Sequence, residues 1–215
     1  MIPTMQKDGY KEYHWKAGHP GVNFSYLNFT NRAGKHSNVP NNNGVALVGV
    51  QYFILSHLIE EWNEGFFQLD KDVAVHNHKR ILSAMLGKEI DVSYLEKLHD
   101  LGYLPLVIKS LPEGTMVPYG VASFTVANTV PGFEWLCGAI ETVMSTEVWP
   151  ISTSATTSKA YYDNVVKMAK ETGLPEFLIS FIAHDFTFRG LFVKQAAAMS
   201  GFGPLSYCTA GTDTI

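Results

Sequence analysis

One segment constrains the fold of this chain more than any other. Residues 178–183 (LISFIA) are apolar apart from one serine, a polar loop (HDFTFRG) follows at 184–190, and a helical pattern runs over 191–199. A buried strand, a polar loop at its carboxyl end and a helix form the repeating element of parallel α/β folds, where ligand groups gather at that end. The segment therefore predicts an α/β fold with binding groups in the loop.

The preceding residues predict helices and a small sheet. Apolar residues recur at three- and four-residue steps around Leu55, Ile59 and Trp62, as in an amphipathic helix. The region 104–128 is rich in β-branched residues and has two Pro/Gly turns, which favours short strands. Alternation of apolar and polar residues predicts a further strand at 24–29. The other predicted helices cover 75–86, 94–101, 134–148 and 156–172.

Composition and charge exclude several classes of function. The 215 residues are 46% hydrophobic, 17% charged and 13% aromatic, as in a globular protein. The net charge of −4 gives no basic field for nucleic acid. No apolar run is long enough to cross a membrane, and the N-terminus lacks the apolar centre of a signal peptide. We therefore expect a cytoplasmic protein with a small-molecule substrate and no nucleic-acid or membrane partner.

No metal site is predicted. Cys137 and Cys208 have no CxxC spacing, so they indicate neither a zinc site nor a disulfide framework, and we expect both to be reduced. Residues 76–78 (HNH) are adjacent on a predicted helix and cannot bring their side chains to one face, so we interpret them as a solvated face. Glu60 and Glu61 are neighbours that point apart on a helix and are expected at the surface.

Three segments mix aromatic residues or turn residues with charges in a way that a surface does not require. They are residues 8–11 (DGYK), 184–190 and 211–214 (GTDT). An aromatic residue lies most often in a core, and an aspartate before threonine most often caps a turn or a helix. Composition alone leaves both the functional and the structural interpretation open.

Several motifs in order resemble the nicotinamide phosphoribosyltransferase family. They are the stretch 111–129 (LPEGTMVPYGVASFTVANT), Trp135, residues 140–142 (IET) and residues 149–151 (WPI), followed by the loop 184–190 and the segment 211–214. The resemblance covers essentially the whole chain. It implies an enzyme of NAD salvage that joins nicotinamide to phosphoribosyl pyrophosphate, with Mg²⁺, giving nicotinamide mononucleotide and pyrophosphate.

The resemblance also implies a fold. It is that of a type II phosphoribosyltransferase, with an N-terminal α+β domain over 1–150 and the first strands and helices of an α/β barrel over 151–215. The family forms dimers with sites at the subunit interface. The pattern at 211–215 is that of a strand beginning, so we expect an incomplete barrel that is inactive without a complementary C-terminal part. ATP use, which needs a downstream histidine in the family, is possible only for the complete enzyme.

The resemblance implies which side chains hold the pyridine ring. Phe186 matches the aromatic residue on one face of nicotinamide, and Tyr10 matches the residue that the neighbouring subunit contributes to the other face. Asp213 matches the acceptor for the carboxamide nitrogen, where a carboxylate would repel nicotinate. Arg189 matches the residue that contacts the nicotinamide carbonyl and the phosphoribosyl side. No catalytic residue is assigned.

Other positions have supporting or ambiguous roles. His184 and Asp185 are expected to support the loop rather than react. Arg32 is the candidate for a basic residue that reaches phosphate across the dimer, although the alignment also fits Thr30. The family loop has Gly-Tyr where this chain has Thr187 and Phe188, and loss of the glycine would shift Phe186 if that position requires a positive φ.

Two alternative functions remain open from the sequence. The chain could be a non-catalytic dimerising module for a full-length relative, which would give mixed dimers that lack turnover at one or both sites. It could also belong to a nicotinate-specific phosphoribosyltransferase, against which Asp213 argues.

Overall fold

The computed structural model describes residues 2–207 as a mixture of helices and short strands. The described chain divides into two compact units, each assembled from three stretches of sequence. The first unit is drawn from the described residues of Met1–Asn28, Tyr52–Lys109 and Thr125–Ser145. The second is drawn from those of Phe29–Gln51, Ser110–Phe124 and Thr146–Ile215. A mixed α/β fold is thus confirmed.

Five strands and eight α-helices are present in the described residues, together with 3₁₀- and π-helical turns. The strands are β1 (Tyr26–Thr30), β2 (Gly44–Ala46), β3 (Leu106–Ser110), β4 (Met116–Pro118) and β5 (Ala122–Asn128). The helices are α1 (His14–Ala17), α2 (Val50–Phe53), α3 (Lys71–Leu86), α4 (Ser93–Leu101), α5 (Trp135–Ala139), α6 (Glu141–Thr172), α7 (Ile179–Ile182) and α8 (Lys194–Leu205).

The helices α3 and α4 and the strands β3–β5 confirm the sequence interpretation. Helix α4 ends at Gly102, whose φ of 81° is the left-handed conformation in which glycine commonly closes a helix. One sheet has the strand order β1-β5-β3, and the other pairs β2 with β4 in antiparallel fashion, with Val45 opposite Val117. The strand predicted at 24–29 is β1, shifted by two residues at its start.

A π-helical segment contributes buried core residues to the first unit. Ile54–Glu61 and Asn63–Phe67 are π-helical, and the buried residues Phe53, His57, Trp62 and Phe66 recur every four or five positions. A π-helix needs more residues than an α-helix to return to the same face. The α-helical spacing predicted from the sequence was therefore wrong here, and Leu55 and Ile59 are exposed.

The second unit is built around a two-stranded sheet and the long helix α6. The hydroxyl of Thr156 accepts the backbone N–H of Ala46 at 2.9 Å, and the hydroxyl of Ser152 donates to the carbonyl of Val48 at 2.8 Å. Helix hydroxyls thus satisfy backbone groups at and just after β2 that would otherwise be buried without partners.

The expectation of two helices separated near residue 150 was wrong. Helix α6 is continuous from Glu141 to Thr172 and contains Pro150. A proline removes one helical hydrogen bond, but Val148, Ile151 and Ala155 are fully buried along the same stretch. Their burial holds the helix together across the proline. The domain division at residue 150 stays a prediction, and the chain passes this position without a break.

The apolar run 178–183 is not a strand. A 3₁₀ turn at Glu176–Leu178 leads into the short helix α7, in which Ile179 is buried while Phe181 and Ile182 are exposed. Apolar periodicity does not separate a short buried strand from a short helix. The described chain after β5 contains helices and turns but no strand. The predicted barrel strands are therefore not seen up to residue 207.

Candidate functional site

The segment around Tyr10 exposes some of its residues and buries others. Gly9–Tyr13 forms a 3₁₀ helix in the first unit. The ring of Tyr10 is 65% exposed, whereas Lys11 and Glu12, the next two residues, are buried. An exposed aromatic ring beside two buried charged groups is the reverse of the usual preference of these residue types. The folding of this segment therefore leaves the Tyr10 ring at the surface.

Lys11 is held by a group of polar side chains at the start of α6. Its Nζ lies 2.9 Å from Oε2 of Glu141, 3.0 Å from Oγ1 of Thr142 and 3.3 Å from Oδ2 of Asp8. The hydroxyl of Tyr10 donates to the same oxygen of Asp8 at 3.3 Å. The hydrogen bond from Thr142 chiefly lowers the pKa of Asp8, with Lys11 and Tyr10 adding to the effect.

Glu12 is the centre of a second, buried polar cluster. Its carboxylate lies 3.0 Å from Nζ of Lys7, 3.2 Å from Nε2 of His78 and 3.1 Å from the hydroxyl of Tyr94. Burial alone would raise the pKa of Glu12, but the bonds and charges of His78 and Lys7 outweigh it and lower this pKa. Burial lowers the pKa of Lys7 and raises that of Tyr94.

The interpretation of residues 76–78 as a solvated helix face was wrong for its last member. His76 is exposed, but His78 is fully buried, and its Nδ1 lies 2.9 Å from the hydroxyl of Thr4. Its partners come from the first twelve residues of the chain and from α4, so helical spacing within α3 does not reveal them. Glu60 and Glu61 are exposed, as predicted.

The loop around Phe186 belongs to the second unit and bears an exposed ring and a guanidinium group. Phe186 is 53% exposed, and the guanidinium carbon of Arg189 lies 5.6 Å from its ring centroid. Asp185 accepts the backbone N–H of Thr187 at 3.1 Å and its hydroxyl at 2.8 Å. The Nε2 group of His184 donates to the carbonyl of Phe181 at 2.8 Å. These bonds of Asp185 and His184 join residues two or three positions apart.

The missing family glycine does not distort this loop. Thr187 begins a 3₁₀ turn that ends at Arg189, and Asn41 is the single non-glycine residue with positive φ within 2–207. Because Thr187 has an ordinary negative φ, a glycine is not required there. Its hydroxyl instead provides a bond to Asp185.

The remaining predicted site residues are placed differently. Tyr10 belongs to the first unit, and Phe186, Arg189 and Arg32 belong to the second. Arg32 is exposed after β1, and Thr30, the last residue of β1, is half-buried. Asp213 lies outside the described residues, as do Cys208 and the segment 211–214. Cys137 is a free, buried cysteine in α5, and burial raises the pKa of its thiol.

Some motif residues turn out to support the fold. The carboxylate of Glu113 accepts the backbone N–H groups of Gly49 and Gln51, both at 2.8 Å, next to the start of α2. The side chain of Asn128 accepts the N–H of Ser25 at 2.7 Å and donates to the carbonyl of Asn23 at 2.9 Å. These residues fix loops to their neighbours rather than facing a ligand.

Sequence reasoning missed Thr142 as a contributor to the site. It was noticed only as the last residue of the 140–142 motif, and its bond to Lys11 spans 131 positions. Spacing within the sequence carries no signal over that distance.

Two further properties apply to residues 2–207. None of their helices combines the length and the apolar character needed to cross a membrane. Nor do three or more histidine, cysteine or acidic side chains gather there closely enough to hold a metal ion.

Comparison with known proteins agrees with the motif order. A nicotinamide phosphoribosyltransferase of Acinetobacter baylyi is 41% identical over 99% of this chain and 43% of its own length. Those of Mycoplasma genitalium and Xanthomonas campestris pv. campestris are 34% and 29% identical, over 68% and 98% of this chain and 32% and 42% of their own lengths. No protein-family model matches the chain. The chain is therefore similar, over nearly its whole length, to a part of nicotinamide phosphoribosyltransferases, and it spans less than half of their length.

Proposed function

We propose that this chain supplies the N-terminal portion of an enzyme that joins nicotinamide to phosphoribosyl pyrophosphate. The observation that carries the proposal is the 41% identity to the Acinetobacter enzyme across 99% of the chain. The exposed rings of Tyr10 and Phe186 support it, because the resemblance matches each residue to the pyridine site and each ring has a basic group close by. A type II phosphoribosyltransferase fold is part of the proposal.

The reaction explains why flat aromatic rings are needed. The ring nitrogen of nicotinamide attacks C1 of the ribose while the bond from C1 to the pyrophosphate oxygen breaks, and the sugar gains oxocarbenium character. The nitrogen becomes a pyridinium cation, so no proton has to be removed from the nucleophile. A weak nucleophile of this kind gains most from being held and aimed. Stacking contributes about 0.5–1.5 kcal/mol per aromatic pair beyond the buried area.

Each candidate residue has a proposed role. Tyr10, from a neighbouring subunit of a homodimer, and Phe186 enclose the pyridine ring, and Arg189 binds the carbonyl and the phosphoribosyl side. Asp213 accepts the carboxamide N–H and disfavours nicotinate. Arg32 is proposed for the phosphate side. His184 and Asp185 shape the loop.

Binding the phosphates of phosphoribosyl pyrophosphate requires side chains in addition to these candidate residues. Mg²⁺ is proposed to accompany the pyrophosphate group of the substrate, and ATP use is left to a complementary C-terminal part. The chain by itself is accordingly expected to be inactive, or nearly so, and to work when paired with that part.

The test is formation of nicotinamide mononucleotide from nicotinamide, phosphoribosyl pyrophosphate and Mg²⁺. The chain is assayed alone and after co-expression with the portion of the Acinetobacter relative that it does not cover. We expect product only from the pair. Inhibition of the full-length relative by the chain, with no product from the pair, would support the non-catalytic dimerising module instead.

The preference for the amide is tested in the same pair. Asp213→Asn is expected to reduce the ratio of nicotinamide to nicotinate use, because the carboxylate that repels nicotinate is gone. Asp213→Glu is the matched control, since it keeps the charge. An unchanged ratio in Asp213→Asn would remove Asp213 from the site.

A further inference from the structure

We propose that Thr142 is a positioning residue that fixes the Tyr10 ring in its exposed orientation before a ligand binds. The inference rests on the proposed function for its purpose, since it assumes that the Tyr10 ring stacks on nicotinamide. Its geometric basis is independent of that function and lies wholly in the first unit. It assigns a task to the threonine of the 140–142 motif.

The hydroxyl of Thr142 makes three hydrogen bonds to the segment that carries Tyr10. It donates to Oδ2 of Asp8 at 2.7 Å. It accepts the backbone N–H of Asp8 at 3.2 Å and Nζ of Lys11 at 3.0 Å. A hydroxyl has one hydrogen and two lone pairs, so these three bonds complete its geometry. Thr142 therefore binds the chain both before and after Tyr10.

The bond to Lys11 makes this attachment strong. The Lys11 side chain is 2% exposed and is compensated by Glu141, at 2.9 Å, as well as by Asp8. Turning Lys11 outward would break its bonds to Glu141, Thr142 and Asp8, so these bonds hold the side chain inward. With Lys11 held inward in a 3₁₀ turn, the side chain of Tyr10 is directed to the surface.

The orientation of the Tyr10 ring is also restrained. Its hydroxyl donates to the oxygen of Asp8 that Thr142 binds. Thr142 thus restrains the position of Tyr10 through the backbone of Asp8 and through Lys11, and its ring through the carboxylate of Asp8. A ring that is ordered beforehand loses less conformational freedom when a ligand binds, which improves affinity without a new contact.

The decisive variant is Thr142→Val, with Thr142→Ser as its matched control. Valine keeps the β-branched shape but makes none of the three bonds, whereas serine keeps the hydroxyl. The readout is ¹⁹F NMR of the full chain labelled with 3-fluorotyrosine. The Tyr10 signal is identified by its loss in Tyr10→Phe, and Tyr119, which accepts a bond from Asn42 in the second unit, serves as internal reference.

We expect Thr142→Val to shift the Tyr10 signal towards that of free fluorotyrosine and to leave Tyr119 unchanged, while Thr142→Ser matches the wild type. Nicotinamide titrated into the same proteins co-expressed with the portion of the Acinetobacter relative that the chain does not cover is expected to bind roughly three- to tenfold more weakly to Thr142→Val. An unaltered Tyr10 signal in Thr142→Val would overturn the inference.

The two hypotheses fail separately. If Thr142→Val frees the Tyr10 ring but nicotinamide perturbs the ring signal in neither protein, the positioning role stands and the nicotinamide contact of Tyr10 is wrong. If both variants change Tyr10 and Tyr119 alike, the hydroxyl supports the fold in general and the positioning role is rejected.

Discussion

The Tyr10 segment and the Phe186 loop present similar groups but are held in different ways. Each exposes an aromatic ring with a cationic side chain near it, Lys11 in the first case and Arg189 in the second. Lys11 is buried in bonds that span more than 100 positions of the chain, whereas Arg189 is exposed. In the Phe186 loop, Asp185 bonds to a residue two positions away and His184 to a residue three positions away.

The difference indicates two ways in which a protein can orient an exposed aromatic ring. In the Tyr10 segment, the orientation of the ring depends on buried bonds that also stabilise the folded protein. A change that releases the ring therefore also destabilises the protein. In the Phe186 loop, the bonds of Asp185 to Thr187 and of His184 to Phe181 are local, so we expect that their loss would not unfold the protein. We therefore expect mutations of the buried groups that hold Tyr10 to affect stability and binding together. Loss of the exposed Tyr10 ring itself, or changes in the Phe186 loop, should affect mainly binding.

The largest effect is expected for Glu12→Ala. It leaves the buried Lys7 ammonium group without its partner and removes an acceptor from His78 and Tyr94. Removing one member of a buried ion pair destabilises a protein by about 3–5 kcal/mol. Urea unfolding followed by circular dichroism measures this loss, and Glu60→Ala, at an exposed helix position, is the control. A loss as small as that of the control would refute a core role for the Glu12 cluster.

The second prediction concerns acid stability. The pKa of Glu12 in the folded protein is below its ordinary value of 4.5, so the unfolded chain takes up a proton first as the pH falls. The contribution of Glu12 is complete above pH 4.5 and is lost as the pH falls through its folded pKa. Glu12→Gln should be less stable than wild type at pH 7, and the difference should shrink towards pH 3. A constant difference would show that the charge of Glu12 is irrelevant.

The features that the sequence predicts well are those with local causes. Helix α4 follows from its apolar spacing and ends at Gly102, and the strands β3–β5 follow from β-branched residues between turns. The burial of His78 and the role of Thr142 could not be predicted in this way. Thr4 and Glu12 lie 74 and 66 positions from His78, and Lys11 lies 131 positions from Thr142. The prediction of an α-helix where the chain is π-helical failed for another reason. A π-helix shifts the buried face by about one residue per turn relative to an α-helix, and no local sequence motif indicates that shift.

The same distinction between local and long-range causes applies to the candidate site. Tyr10 and Phe186 were identified from motifs, and the structure shows that both rings are exposed. What holds each ring was not predicted, because a motif records which residues occur and not which distant groups they bind. The strand predicted at 178–183 was wrong for the opposite reason. A local apolar pattern suggested a strand, and strand formation depends on neighbours that a local pattern does not contain.

The third prediction compares the two rings directly. Tyr10→Ala and Phe186→Ala should each weaken nicotinamide binding by roughly tenfold, since loss of one stacked ring removes about 1.5 kcal/mol at most beyond the contact area. Calorimetric titration of the co-expressed pair measures the affinity. Neither change should lower the unfolding free energy by more than about 0.5 kcal/mol, because both rings are exposed. Affinity that survives both changes would exclude the stacking site.

The smallest effect is expected in the Phe186 loop, for Thr187→Gly, which restores the glycine of the family motif. Because Thr187 has negative φ, glycine relieves no strain; it removes the hydroxyl bond to Asp185 and adds freedom to the unfolded chain. We expect nicotinamide affinity to fall by roughly two- to threefold, because a freer loop loses more conformational freedom on binding. The free energy of unfolding should fall by no more than about 1 kcal/mol. Thr187→Ser, which keeps the hydroxyl, is the control and should bind as the wild type does. A loss of stability comparable to that of Glu12→Ala would mean that this loop, too, is attached to a core, and the contrast between the two regions would disappear.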